Sequence, residues 1–279
     1  MSPSPRGPLA QVRLGSASVC RFIPGHNPLC GNSHLSAERN AEMRAYYNAE
    51  TVVKLYLQAE QLGLRTLLIR GDYRMLEWVE QYRRRGGTMD IVAQTATEMH
   101  DVFANIRVLA AAGAKAIYHH GTQTDRFWQE GCFEKTHDYL KCMRDCGVAV
   151  GLASHMPEVF EAVEERGWDV DFYMTCFYNL SRKPRESAIV TGKASYADEE
   201  YLEEDRAKMV RLIQTVKKPC LAFKILAAGR HCATQDRVRE AFRFAYANIK
   251  PTDAIVVGLF QRDRDELTLN LQYAAEACG

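Results

Sequence analysis

Residues 148–176, VAVGLASHMPEVFEAVEERGWDVDFYMTC, carry the decision about the fold. They open with one short apolar run, 148–153 (VAVGLA), and close with another, 170–176 (VDFYMTC). Both are rich in β-branched or aromatic residues, as strands buried on two faces must be. Between them Val159, Ala162 and Val163 recur at helical spacing, and the pattern stops at Gly167. Glycine suits the left-handed position just past a helix end. This order of strand, helix, glycine and strand is the grammar of a parallel sheet with crossover helices.

The same grammar extends in both directions. Tyr139, Leu140 and Met143 run to Gly147, and Val52, Leu55, Tyr56, Ala59 and Leu62 run to Gly63. Further strands are predicted at 18–24 (SVCRFIP), 65–70 (RTLLIR), 90–94 (DIVAQ) and 115–120 (KAIYHH). Two more follow at 219–226 (PCLAFKIL) and 253–259 (DAIVVGL). Eight such units in about 260 residues fit a closed barrel better than an open sheet. A doubly wound sheet would more naturally carry a glycine-rich phosphate turn after its first strand, and none is present. The expectation is therefore an α/β protein, a single (β/α)8 TIM barrel over residues 15–279. The Ser/Pro-biased start, MSPSPRGPLAQ, predicts a flexible tail over 1–14 and no signal peptide.

Composition narrows the function classes. The chain has 279 residues, 47% of them hydrophobic and 25% charged, which suits one large soluble core. A formal net charge of +1 gives no electrostatic case for nucleic acid. No apolar run approaches the roughly 20 residues that span a bilayer, so no membrane partner is expected. Nine scattered cysteines without a CxxC pair favour a reducing cytoplasm over a disulfide framework. The expected partner is a small molecule; the oligomeric state stays open.

Two stretches break the rhythm on the carboxyl side of strands, where barrel enzymes build their sites from loops. They are 25–40 (GHNPLCGNSHLSAERN) and 179–199 (NLSRKPRESAIVTGKASYADE), the second a candidate lid. The acidic run Asp198, Glu199, Glu200 and Glu203 reads as a helix opening, since carboxylates favour the positive helix start. Arg83, Arg84 and Arg85 before Gly86 read as a solvated helix end.

Several segments taken together resemble the aldo-keto reductases. VAVGLASHMPEVFEAVEERGWDVDF is similar to that superfamily's fifth strand and following helix, and FYNLSR to the end of its sixth strand. LAFKILAAGR resembles the seventh strand and the loop that meets the cofactor's pyrophosphate, which implies roles for Gly229 and Arg230. IVVGLFQRDRDELTLNL resembles the eighth strand and the start of the adenine-binding helix, implying Gly258, Gln261, Arg262, Glu266 and Asn270. VCRFIPGHNPLCG is a looser match to the first strand. The resemblance covers most of the chain and implies the barrel fold with NADP as cofactor.

The reductase chemistry carries over poorly. Such reductases use an Asp, a Tyr, a Lys and a His, the Tyr protonating the carbonyl while the nicotinamide delivers hydride. Arg70 stands nearest the place of the Asp, and no Tyr follows at the usual distance. Gln94 stands where the Lys should be, and the His matches His120. His155 replaces a carboxamide-anchoring Asn, and Thr175 lies near the place of a Gln.

A set of imidazoles and polar groups stands at the strand ends instead. His26 and His34 lie in the first loop, Asp72 after the second strand, Gln94 at the third, and His119 and His120 at the fourth. His155 ends the fifth, Cys176 the sixth, and Lys224 lies within the seventh. His119 and His120 are adjacent on a strand, so only one faces the pocket, and the resemblance points to His120. Asp72 reads equally as a turn residue, Cys176 as core packing, and Lys224 as a Schiff-base former if desolvated.

The leading expectation is a non-redox enzyme (lyase, isomerase or hydrolase) acting on a small polar, sugar-like hydroxy-carbonyl compound. His120 would serve as acid/base, with a divalent metal (Zn, Fe or Mn) held by His34, Asp72 and His155. The alternative is a divergent NADP-dependent oxidoreductase whose proton donor has moved, to Tyr73 or Tyr178. A third reading is a ligand-binding pseudoenzyme.

Overall fold

A computed structural model describes residues 9–97, 101–183 and 199–278. Two strands, β1 (Gln11–Leu14) and β2 (Ala17–Cys20), form an antiparallel hairpin. Eight more form one parallel sheet: β3 (Phe22–Gly25), β4 (Thr66–Arg70), β5 (Asp90–Gln94), β6 (Ala114–His119), β7 (Ala149–Ser154), β8 (Phe172–Cys176), β9 (Cys220–Phe223) and β10 (Ala254–Gly258). Their order is β3-β10-β9-β8-β7-β6-β5-β4, and β4 lies back against β3, so the sheet curls into a nearly closed barrel. The helices are α1 (Ala37–Tyr46), α2 (Ala49–Gln61), α3 (Tyr73–Arg84), α4 (Val102–Ala111) and α5 (Gly121–Gln129). They continue with α6 (Glu134–Asp145), α7 (Pro157–Glu165), α8 (Glu203–Thr215), α9 (Gln235–Asn248) and α10 (Glu266–Cys278). The chain is a single (β/α)8 TIM barrel. Among the described residues, no helix is long and apolar enough to cross a membrane.

All eight sequence-predicted strands are found, and the first is the one that moves. The run 18–24 spans two elements, the second hairpin strand and the first barrel strand, and breaks at Arg21. The Arg21 guanidinium donates to the Asp253 and Lys250 carbonyls, and its ring partner is Tyr246, so the bend is held from the barrel side. The tail expected over 1–14 is corrected from Gln11 onward, where the chain is ordered as β1. Residues 1–8 lie outside the described residues.

The hairpin is ordered because its alternation matches a sheet with one buried face. Val12 and Leu14 on β1 and Ala17 and Val19 on β2 point into the barrel, while Gln11, Arg13 and Ser18 face solvent. The buried face meets inward residues of the barrel, among them Ile23, Leu68, Val92, Ala149 and Phe172. These form one interior core; a second lies between the outer faces of the strands and the helices. Gly151 shows how tightly the interior is filled: a Cβ there would lie 2.3 Å from Cζ of Phe172. The glycine in VAVGLA is therefore the space that the Phe172 ring occupies.

Candidate functional site

The carboxyl ends of the barrel strands surround a cavity of about 540 Å³. Its inner wall is apolar where Leu68, Ala153, Met174 and Val256 point up from the core, and polar where the strand ends finish. His26 follows β3, Gln94 ends β5, Tyr118 lies on β6, His120 follows β6, His155 follows β7 and Lys224 follows β9. These side chains are far apart in sequence and converge because adjacent parallel strands end on the same side.

The most developed arrangement is at His155. Its Nδ1 lies 2.6 Å from Oδ2 of Asp125, which is 1% exposed. A carboxylate only accepts, so Nδ1 carries the proton and Nε2 is the basic nitrogen of the ring. Asp125 is itself held by the Ser154 hydroxyl at 2.6 Å, the Ser181 hydroxyl at 2.6 Å and the His155 backbone N–H at 3.3 Å. Four donors thus fix a buried carboxylate behind one imidazole, whose ring stands edge-on to Phe223. Gly121 makes room for it: a Cβ there would lie 3.4 Å from Cε1 of His155 and 3.3 Å from Cβ of Ala153. Asp125 was not among the expected site residues.

His120 occupies the N-cap position of α5, on the cavity wall, with Nδ1 3.2 Å from the Thr97 hydroxyl. His119 points the other way, as alternation requires: it is fully buried among Phe127 and Tyr139, and Thr124 binds its Nδ1 at 2.8 Å. Burial holds the His119 pKa down to about 3, with Asp125 opposing. His26 is 4% exposed, and among the described residues neither of its ring nitrogens has a hydrogen-bond partner. Burial, then the Arg70 guanidinium, hold its pKa down to about 3, against the pull of Asp72.

The expected metal set does not assemble. His34 binds Glu199 through Nδ1 at 2.7 Å, while the Asn32 and Asn27 amides lie 3.1 Å and 3.3 Å from its Nε2. Asp72 is off the cavity wall: one oxygen caps α3 by accepting from the Met75 N–H, and the other pairs with Arg70 at 3.0 Å. His155 binds Asp125 through Nδ1. Among the described residues, no group of three or more His, Cys, Asp or Glu is arranged to hold a metal ion. Glu199, read above as part of a helix opening, is instead buried against His34 and accepts from the Tyr201 hydroxyl. The helix opens at Glu203. Of the candidate lid, residues 184–198 lie outside the described residues.

Lys224 lines the cavity with φ 62°, a left-handed backbone that ends β9 earlier than the run 219–226 suggests. Cys176 is fully buried and off the cavity wall. Tyr178 also faces away: its hydroxyl lies 3.1 Å from Nε2 of His231, and burial pushes its pKa up to about 12. Tyr73 is 67% exposed on the first turn of α3. Neither tyrosine proposed as a relocated proton donor reaches the site.

The cavity continues outward as a cleft between the β9–α9 and β10–α10 loops. Five of the residues implied by the reductase resemblance line it: Gly229, Arg230, Gly258, Glu266 and Asn270. Gln261 and Arg262 do not. Gln261 instead accepts from the Leu267 N–H at 3.0 Å, and Asp265 accepts from the Thr268 N–H at 3.1 Å, so the start of α10 is capped from within. Arg262 is paired with Asp263 and Glu42. Arg230 lies over the Tyr201 ring at 3.9 Å and donates to the His34 carbonyl.

No protein-family model and no curated protein matches the sequence. Solved structures do match in shape. A protein assigned as 2,5-diketo-D-gluconic acid reductase B aligns at TM-score 0.57 and 11% identity, over 96% of this chain and 86% of that one. The glycerol dehydrogenase of Gluconobacter oxydans aligns at TM-score 0.52 and 10% identity, over 96% of both chains. A truncated 3-deoxy-D-arabino-heptulosonate 7-phosphate synthase from Thermotoga maritima aligns at TM-score 0.51 and 15% identity, over 96% and 91%. Reductase, dehydrogenase and synthase are matched to similar degrees, so the likeness speaks for the barrel they share. This chain is a member of the TIM-barrel fold, and its chemistry must be argued from its own site.

Proposed function

We propose that this protein is a non-redox acid–base enzyme, an isomerase or lyase that moves a proton on the carbon beside the carbonyl of a small, polar, sugar-like compound. The observation that carries the reading is the buried Asp125–His155 couple at the cavity wall, 2.6 Å between Oδ2 and Nδ1. Such a couple fixes the imidazole tautomer and stabilises the imidazolium that forms when Nε2 takes a proton. His120 and Lys224 line the same cavity, to exchange a second proton and to face a developing oxyanion. The reading does not draw on the divalent metal expected at His34, Asp72 and His155, since among the described residues these do not form a metal-binding group.

The test is solvent exchange. Incubated in D2O with D-glyceraldehyde, dihydroxyacetone, D-xylose and D-xylulose, the wild-type protein is expected to place deuterium beside the carbonyl of at least one, read by proton NMR. His155→Gln should slow that exchange by roughly 10²–10⁴-fold. An unchanged rate in His155→Gln, or no exchange across the panel, would sink the proposal.

A second reading, an NADP-dependent oxidoreductase, is favoured by one observation: the outer cleft lined by Gly229, Arg230, Gly258, Glu266 and Asn270. Against it, the Leu267 and Thr268 N–H groups that would face a phosphate are already bound by Gln261 and Asp265. The tyrosine on the cavity wall is Tyr118, whose hydroxyl is pushed far up by burial and so is poorly poised to cycle its proton. Saturable enhancement of NADPH fluorescence would move the protein to this reading.

A further inference from the structure

His26 is the feature that the acid–base reading leaves unused. It sits on the cavity wall, nine-tenths and more buried, yet among the described residues neither ring nitrogen meets a donor or acceptor. Buried polar groups of folded proteins almost always find partners, so two orphaned nitrogens on one ring that lines a cavity mark a place where a partner arrives from outside. Gln94 and Tyr118 stand on the same wall, joined only by a long contact of 3.4 Å between the Tyr118 hydroxyl and Oε1 of Gln94. The wall is therefore polar and incompletely satisfied, over a base of Leu68, Met174 and Val256.

The chemistry of the ring selects the ligand. Burial and the nearby Arg70 keep His26 neutral at any ordinary pH. A neutral imidazole offers one N–H donor and one lone-pair acceptor. A carboxylate or phosphate would satisfy the donor and set its lone pairs against the acceptor. An ammonium would do the reverse. Adjacent hydroxyls satisfy both nitrogens, since each can donate or accept. The cation whose charge acts on His26, Arg70, is already paired with Asp72 at 3.0 Å, so it is not held in reserve for an anion at this ring.

We propose that His26, with Gln94 and Tyr118, is the subsite that binds the neutral polyhydroxylated end of the substrate and that this subsite prefers polyols over anions. The proposal rests on the cavity being the substrate site but not on the chemistry at His155, so the two fail separately: one as lost binding, the other as lost exchange.

The experiment is a titration of protein carrying ¹⁵N-labelled histidine, followed by long-range proton–nitrogen correlation, with erythritol, D-xylose and sodium malonate as the probes. The His26 signals are assigned by their loss in His26→Phe. Both ring nitrogens are expected to shift saturably with erythritol or D-xylose and to stay in place with malonate. In ligand-observed saturation transfer, His26→Phe should weaken binding of the polyol about tenfold or more, leaving buried hydroxyls unpaired. His26→Asn, which keeps one donor and one acceptor, should stay within about threefold of wild type. A saturable shift with malonate would overturn the proposal, and so would no shift with either polyol, His26 then being met by water alone. Undiminished polyol binding in His26→Phe would overturn it too. Should the Phe variant fail to fold, the wild-type titration and the Asn variant decide the matter.

Discussion

The two ends of the barrel obey opposite rules. At the amino end the β1–β2 hairpin closes the interior with Val12, Leu14, Ala17 and Val19, all buried against other apolar residues. At the carboxyl end polar groups crowd a cavity, and His26 is buried there with no hydrogen-bond partner among the described residues. Backbone strain divides the same way. All four non-glycine residues with left-handed φ among the described residues, His34, Lys224, Ala227 and Ala228, lie in loops on the carboxyl side. One end is built for stability, while the other holds geometry that a chain selected for stability alone would shed. This division can be broken from either side.

The largest effect is expected at the closed end. Leu14 is fully buried in the interior cluster, so Leu14→Ala removes three carbons' worth of contacts where the surrounding barrel cannot collapse. A loss of about 3 kcal/mol is expected, read as a lower urea midpoint with an unchanged slope. Ligand binding at the mouth should persist in the folded fraction. Little or no loss would mean that the hairpin is dispensable and that the contrast between the ends is false.

Acid tests the open end. His26 and His119 are both held neutral, with pKa values down to about 3. In the unfolded chain a histidine takes its proton near pH 6.5. Between roughly pH 6.5 and 3 the unfolded state therefore binds protons that the folded state refuses. The stability present above that window is lost as pH falls through it, by about 1.4 kcal/mol per pH unit for each histidine. Urea midpoints at pH 7 and 5.5 measure the slope. Replacing His26 with Leu should remove its share of the slope, and an unaltered slope would show that His26 takes its proton without unfolding the barrel.

Sequence was a good guide to the fold and a partial one to the site, for a physical reason in each case. Strands buried on two faces must be short apolar runs, and helices beside them must end before the next strand, so Gly167 and Gly147 punctuate the chain legibly, with φ of 63° and 73°. Strand ends also say which loops share a mouth, which is why His26, His120, His155 and Lys224 were found together. Spacing does not say where a side chain points once the strand has ended. Asp72 turned to its own helix, Tyr178 to His231, and Cys176 into the core. Asp125 was missed because GTQTDRFWQ gives a carboxylate on a helix no distinguishing mark. The only available signal was the run of small residues before it: Gly121, Thr122 and Thr124 are buried with Asp125, on a helix face too small-sided to be solvated.

The smallest expected effect bears most directly on the strain at the open end. Ala228 has φ 51° and ψ 46° within the short turn Ala227–Gly229, beside Lys224 and on the wall of the cleft. An L-residue in this region suffers a clash between Cβ and the backbone, of the order of 1–2 kcal/mol, which glycine lacks. Glycine also gains freedom in the unfolded chain, which offsets part of the relief. Ala228→Gly should therefore stabilise the barrel by a net amount of about 0.5–1 kcal/mol. The same substitution loosens the turn that follows Lys224, so tighter folding should come with weaker D-xylose binding, as a held geometry is released. Stabilisation without loss of binding would place the strain outside the site. Destabilisation would show that the methyl group of Ala228 is an anchor for the turn rather than a source of its strain.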